Sequence, residues 1–276
     1  MIFDKDREIK IMGIVNLTED SYFAQSRCQD VEAALERAGR LIDEGADIID
    51  IGACSTRPGS LPVGEEEEWN RLKPVLLAVR KEYPSVTISI DTCWSSVVRK
   101  AYDLIGSFII NDISAGEDDP KMLETVGGLG LTYVAMHKRG TPLTMQSMTD
   151  YEDVTEDVAR YFDIFSVKAS QAGIKDWILD PGFGFAKTID QNYELMRNIS
   201  RLKSAGRPVL VGVSRKSMIY KRFGITPEDA LPATQVLHMH VLCNGADILR
   251  VHDVAEARRT VGIYKALYSL DLQAEY

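Results

Sequence analysis

The sequence predicts an α/β chain, a single-domain (βα)8 TIM barrel over residues 1–276, on three observations. Short β-branched runs alternate with longer amphipathic stretches from end to end, as when parallel strands are joined by crossover helices. Eight such runs can be counted, which suits a closed barrel better than an open doubly wound sheet. No Pro/Ser-rich linker or low-complexity tract divides the chain, and its 276 residues suffice for a core that needs neither disulfides nor metal.

The elements follow in order. Ile9 to Leu17 is the first strand, and the helix after it repeats apolar residues at Val31, Ala34, Leu35, Ala38, Leu41 and Ile42, with Asp30 as its expected N-cap and Gly45 as its end. Asp47 to Gly52 contains Ile48-Ile49-Asp50-Ile51, a near-continuous apolar run of the kind covered on both faces. Glu65-Glu66-Glu67-Glu68 then opens a helix, where negative charge complements the dipole on a solvated face. Val86 to Asp91, Phe108 to Ile113 and Thr132 to His137 are the next strands, and Gly173 closes the helix before Trp177 to Asp180. Pro208 to Ser214 is the seventh strand. Thr226-Pro227-Glu228-Asp229 supplies an N-cap hydroxyl, a Pro at N1 and an acid at N3. His238 and His240 fall on the helix after the seventh strand as packing residues, and Asp247 to His252 is the eighth strand.

Composition narrows the function. With 32 Lys+Arg against 41 Asp+Glu, the net charge of -9 argues against a nucleic-acid binder, which would show a basic face. No stretch reaches the ~18 apolar residues of a membrane span, and the N-terminus alternates charge signs without a secretion signal, so a cytoplasmic location is expected. Cys28, Cys54, Cys93 and Cys243 lack CxxC spacing and are read as reduced thiols.

In a barrel, chemistry sits at the C-terminal ends of the strands. Asp91, Asn111 and Asp180 end the third, fourth and sixth, where two carboxylates and an amide can match the N–H fork of a pterin or guanine-like ring. Arg57, Lys216, Arg250 and His252, with Ser55 and Thr56, form an anion-binding set that suits a diphosphate. Asn16, ending the first strand, offers a hard oxygen to Mg²⁺. The strand-end acids have a plainer reading as helix caps, His137 is ambiguous, and the Arg and Ser beside Lys216 suit anion binding better than a Schiff base.

The chain resembles the dihydropteroate synthases, pterin-binding (βα)8 enzymes of folate biosynthesis. The likeness runs from Ile11-Met12-Gly13-Ile14-Val15-Asn16 to Arg250-Val251-His252-Asp253. Ser55-Thr56-Arg57-Pro58-Gly59, Asn111-Asp112, Asp180-Pro181-Gly182 and Gly212-Val213-Ser214-Arg215-Lys216-Ser217 carry it, each at its expected strand end. The resemblance implies condensation of 6-hydroxymethyl-7,8-dihydropterin diphosphate with para-aminobenzoate in the presence of Mg²⁺, a homodimer, and inhibition by sulfonamides. Matched motif by motif, Asp91, Asn111, Met136, Asp180, Gly212 and Lys216 would hold the pterin. Asn16, Thr56, Arg57, Arg250 and His252 would hold the diphosphate, with Asn16 on the metal. Thr56, Pro58, Phe185, Lys216 and Ser217 would border the aminobenzoate, and Asp20, Arg57 and Lys216 would serve catalysis.

The chain departs from the family pattern twice. Thr18-Glu19-Asp20-Ser21-Tyr22-Phe23-Ala24 lacks the usual Pro and the Asp-Gly-Gly turn, and Cys54 stands where a Glu is usual. Of two other readings, a pterin-dependent methyltransferase needs no diphosphate site and is opposed by the Ser-Thr-Arg-Pro-Gly and Ser-Arg-Lys-Ser motifs, whereas the altered first loop keeps open a paralogue that binds pterin or a phosphate without turnover.

Overall fold

The computed structural model describes residues 7–17, 24–54, 63–141 and 143–268, with backbone alone over 24–30 and at 146. Its strands are β1 (Lys10–Asn16), β2 (Ile48–Gly52), β3 (Thr87–Asp91), β4 (Ile109–Asp112), β5 (Thr132–Met136), β6 (Trp177–Asp180), β7 (Leu210–Val211) and β8 (Ile248–Val251). All pair in parallel in the order β6-β5-β4-β3-β2-β1-β8-β7, and a parallel bridge between Leu179 and Val209 joins the two ends. The predicted (βα)8 barrel is therefore the observed fold. Its helices are α1 (Ala24–Asp43), α2 (Glu65–Glu82), α3 (Ser95–Ile105), α4 (Met122–Leu129), α5 (Val154–Gln171), α6 (Ile189–Arg197), α7 (Ser217–Phe223), α8 (Leu231–Cys243) and α9 (Val254–Tyr268). No helix among the described residues is long and apolar enough to cross a membrane.

Strand periodicity of two divides the burial into two cores. Outward-facing residues such as Ile49, Ile51, Ile88, Ile90 and Leu179 pack under the helices in one large cluster. Met12, Ile48, Val134, Ile178, Leu210 and Ile248 make a small apolar floor inside the barrel. Two residues further along each strand the side chain returns to the interior one layer higher. Ile48 leads to Asp50, Ile109 to Asn111, Val134 to Met136, Ile178 to Asp180, Leu210 to Gly212 and Ile248 to Arg250. Register keeps this layer level, with Gly52 opposite Asp91, Asp91 opposite Asn111 and Met136 opposite Asp180. The predicted site residues among these thus form an interior layer of the barrel.

Local expectations hold where chain-neighbour chemistry decides them. Gly45 and Gly173 take positive φ at helix ends, and Thr226 Oγ1 accepts from the Asp229 backbone N–H at 3.3 Å, heading a short 3₁₀ turn before α8. Others are corrected by packing. α1 begins at Ala24, so Asp30 lies inside the helix instead of capping it. Only two residues of the predicted seventh strand are in strand conformation, because Gly212 to Lys216 already turn toward α7. The acidic run is not a uniformly solvated face: Glu68 is buried at 1% exposure and accepts from Thr92 Oγ1, and burial pushes its carboxyl up to about 7. His238 is fully buried, as expected of a packing residue, whereas His240, two residues on and so on the opposite side of the same helix, is exposed, which corrects that expectation.

Candidate active site

Asp50 organises the interior layer, although it is not among the residues predicted for the site. It is fully buried and accepts from Ser89 Oγ at 2.6 Å, Asn111 Nδ2 at 3.1 Å and Arg250 Nε at 2.7 Å. The other end of the same guanidinium donates to Asp91 at 2.9 Å. Two carboxylates sharing one guanidinium leave an excess of negative charge facing the cavity. Burial pushes Asp91 above the usual carboxylate range, against Arg250, with Asp50 adding to the rise. Breaking such a pair from one side costs about 3–5 kcal/mol, because the remaining charge stays buried without compensation. The sequence sets the acids apart from the cations around the rim; the structure joins them at Arg250, so that segregation does not hold there.

Asp180 faces this cluster from β6, with 7% exposure, and accepts from the Gly182 backbone N–H at 2.8 Å. Burial raises its pKa, opposed first by Lys216. Lys216 precedes α7, donates to the Phe183 carbonyl at 2.6 Å and lies 5.0 Å from the centre of the Phe185 ring. Burial pulls its ammonium down to about 8, with Asp180 opposing and Arg250 adding to the fall. Gly212 matters through its missing side chain: a Cβ there would lie 3.9 Å from Lys216 Nζ and 3.8 Å from Arg250 Cβ, taking up room between them. Met136, 3% exposed, completes the wall beside Asp180, and Ser217, half-buried, opens α7 next to Lys216.

The residues expected at the diphosphate are spread differently. His252 Nδ1 lies 3.1 Å from Ser214 Oγ, and burial with the Arg250 charge pulls its pKa down to about 4, so near neutrality it offers an uncharged imidazole. Arg215 is not available as an anion ligand, since its guanidinium grips Asp253 in a two-pronged pair at 2.7 and 2.8 Å. Its backbone sits at φ 52, a costly conformation for a residue with a Cβ, and one that this pair helps to hold. Asn16 stands exposed at the mouth, opposite Gly52. Asp20, Ser55, Thr56, Arg57 and Pro58 lie outside the described residues. Asp112, beside Asn111, is structural: its carboxylate accepts from Tyr133 Oη, Ser114 and Gly116.

A second buried lysine also escaped the sequence reading. Lys187, 5% exposed, donates to the carbonyls of Gly182 at 3.0 Å and Phe185 at 3.1 Å and touches His137 Nδ1 at 3.0 Å. Burial pulls its pKa down to about 7, against the pull of Asp180. A lysine following Asp180-Pro181-Gly182-Phe183-Gly184-Phe185-Ala186 reads as an ordinary loop cation. The legible signal was His137, whose partner it is.

Comparison with known proteins agrees with this fold. The pterin binding enzyme family matches residues 12–252. The dihydropteroate synthase of Escherichia coli (strain K12) is 37% identical over 268 residues, 96% of this chain and 94% of that protein. The crystal structure of Yersinia pestis dihydropteroate synthase in complex with a sulfonamide drug superposes with a TM-score of 0.89 at 35% identity, covering 97% of each chain. That of Xanthomonas albilineans dihydropteroate synthase with 4-aminobenzoic acid gives 0.87 at 36% identity, covering 96% of this chain and 95% of that one. An interior layer of acids and an amide around one guanidinium, in a barrel matched from end to end by such relatives, makes this chain a member of the pterin binding enzyme family, among the dihydropteroate synthases.

Proposed function

We propose that this dihydropteroate synthase joins 6-hydroxymethyl-7,8-dihydropterin diphosphate to para-aminobenzoate by dissociative displacement, releasing diphosphate and 7,8-dihydropteroate. The observation that carries the reading is the shared guanidinium of Arg250 between Asp50 and Asp91, with Asn111 and Asp180 completing the ring of acceptors. An aromatic amine is a weak nucleophile, so the hard step is breaking the C–O bond between the pterin's exocyclic methylene and the diphosphate. The electron pair leaves with the diphosphate, and positive charge spreads into the ring, where the excess negative charge of Asp50, Asp91 and Asp180 stabilises it. The amine lone pair then forms the C–N bond, and its proton passes to solvent.

Lys216 spans both events in this reading: its ammonium lies between the pterin edge at Asp180 and the ring of Phe185, along which the aminobenzoate packs. Ser217 and the loop residues Thr56 and Pro58 border that second substrate, and sulfonamides compete for the same place. Arg250 is already neutralised by two carboxylates, so Arg57 and Thr56 carry more of the diphosphate's charge than Arg250 does, with His252 as a neutral donor. Asp20 joins Arg57 and Lys216 as a catalytic group. Mg²⁺ fits the donors present: Asn16 offers one exposed amide oxygen, and no group of three or more His, Cys, Asp or Glu among the described residues could cage a metal. That is the donor set of an ion held mainly by substrate phosphates and water. When bound, it supplies charge neutralisation for the departing diphosphate.

The same reading makes the protein a cytoplasmic homodimer. Val236 on α8 and Ile263 and Leu267 on α9 are 68%, 58% and 59% exposed, an apolar content that suits an interface between copies. Light scattering should give twice the chain mass, and a monomeric mass at micromolar concentration would reject the dimer. Function itself is tested by incubating the purified chain with pterin diphosphate, para-aminobenzoate and Mg²⁺. Release of diphosphate in step with dihydropteroate is expected, whereas pterin binding without release would identify a silent paralogue.

A further inference from the structure

The segment Gly182 to Phe185 crosses between two ammonium groups. On the cavity side, Lys216 holds the Phe183 carbonyl at 2.6 Å. On the far side, Lys187 holds the carbonyls at both ends of the segment, Gly182 at 3.0 Å and Phe185 at 3.1 Å. Its third contact, at 3.0 Å, is with His137 Nδ1, which accepts when Lys187 carries its charge, since an ammonium has three donors and no acceptor. Between the two lysines, Asn192 Oδ1 accepts from the Gly184 N–H at 2.7 Å.

The segment cannot retreat toward β5. Gly182 has φ 68, and a Cβ there would lie 2.0 Å from the His137 carbonyl oxygen. On its other side lies a hollow of about 250 Å³ between α6 and α7, lined by Gly184, Lys187, Asn192, Ser217 and Lys221 among others. The three contacts of Lys187 hold both ends of the segment to His137.

We propose that Lys187 is a positioning residue for the second substrate. By tying Gly182 and Phe185 to His137, it fixes the Phe185 ring against which the aminobenzoate packs and holds the Phe183 carbonyl where Lys216 meets it, while touching neither substrate. The inference rests on the assignment of Phe185 and Lys216 to the aminobenzoate.

Lys187→Met keeps the aliphatic bulk and removes all three donors. The expected result is a KM for para-aminobenzoate raised about ten-fold with pterin diphosphate affinity, measured by calorimetry without the amine, changed less than about two-fold, the signature of a misplaced second-substrate wall. Lys187→Gln, whose amide keeps two donors, should recover part of the loss, and takes the place of Lys187→Met under the same criterion if that variant does not fold. An unchanged aminobenzoate KM in a folded variant, or equal losses for both substrates, would overturn the proposal. Failure of both variants to fold would overturn it as well, because Lys187 would then belong to the framework. Phe185→Leu in the same assay separates the two ideas: if it leaves the aminobenzoate KM untouched, the assignment of Phe185 is what fails.

Discussion

Lys216→Ala is expected to lower kcat/KM by about 100-fold or more, the usual cost of removing one preorganised charge from the position where charge develops. In the proposed reading the side chain acts on both substrates, so kcat should fall along with the affinity for pterin diphosphate. The effect on pH dependence is more specific. The ammonium of the free enzyme loses its proton near pH 8, so wild-type kcat/KM should decline on the alkaline side from about that value. In Lys216→Arg, whose guanidinium stays charged, that decline should move to higher pH even if the maximum rate is lower. Stability should run the opposite way. Lys216 has a lower pKa folded than its ordinary 10.5, so over this window the unfolded chain binds more protons, and this residue makes the fold more stable as pH rises from about 8 toward 10.5. Activity lost while the melting temperature holds would mark loss of charge. Activity and folding lost together near pH 8 would remove Lys216 from its role.

Asp91→Asn should weaken pterin diphosphate binding about 100-fold, since a neutral amide cannot accept two charge-assisted bonds at roughly 1.5–3 kcal/mol each. The fold should survive, because Arg250 keeps its pair with Asp50 at 2.6 Å. Arg57→Ala should behave differently. It should weaken the diphosphate ester but leave the affinity for 6-hydroxymethyl-7,8-dihydropterin, which lacks the leaving group, near the wild-type value. Asp91→Asn should damage both ligands. Calorimetric titration of the two variants with the two pterins separates these outcomes, and equal losses across all four would show that the ring and its diphosphate are not held by separate sets of residues.

Local pattern made much of the candidate site legible. Asp91, Asn111 and Asp180 were visible because each is a polar residue at the end of a β-branched run, and in a parallel barrel those ends share one rim. Asp50 sits in the same layer but was hidden within Ile48-Ile49-Asp50-Ile51, where the run itself signals burial and nothing nearby in sequence reveals a partner. Its partner, Arg250, is 200 residues away, and only barrel closure brings the two together. Arg215 shows the reverse. Its place beside Lys216 suggested an anion ligand, whereas folding delivers Asp253 to it from the end of β8. Glu68 was read from its run of four acids as solvated, and it is buried because the first turn of α2 packs over Thr92.

The sequence by itself determined the eight-unit barrel, the identity of the strand-end acids and lysine, and the family likeness, because strand and helix periods, turn residues and contiguous motifs are properties of neighbours along the chain. Only the tertiary structure decided which charges are spent on one another: Arg250 on Asp50 and Asp91, Arg215 on Asp253, Lys187 on the loop carbonyls. Those choices depend on distance and burial between segments far apart in sequence, and a buried charge takes whatever opposite group the closed barrel places within reach.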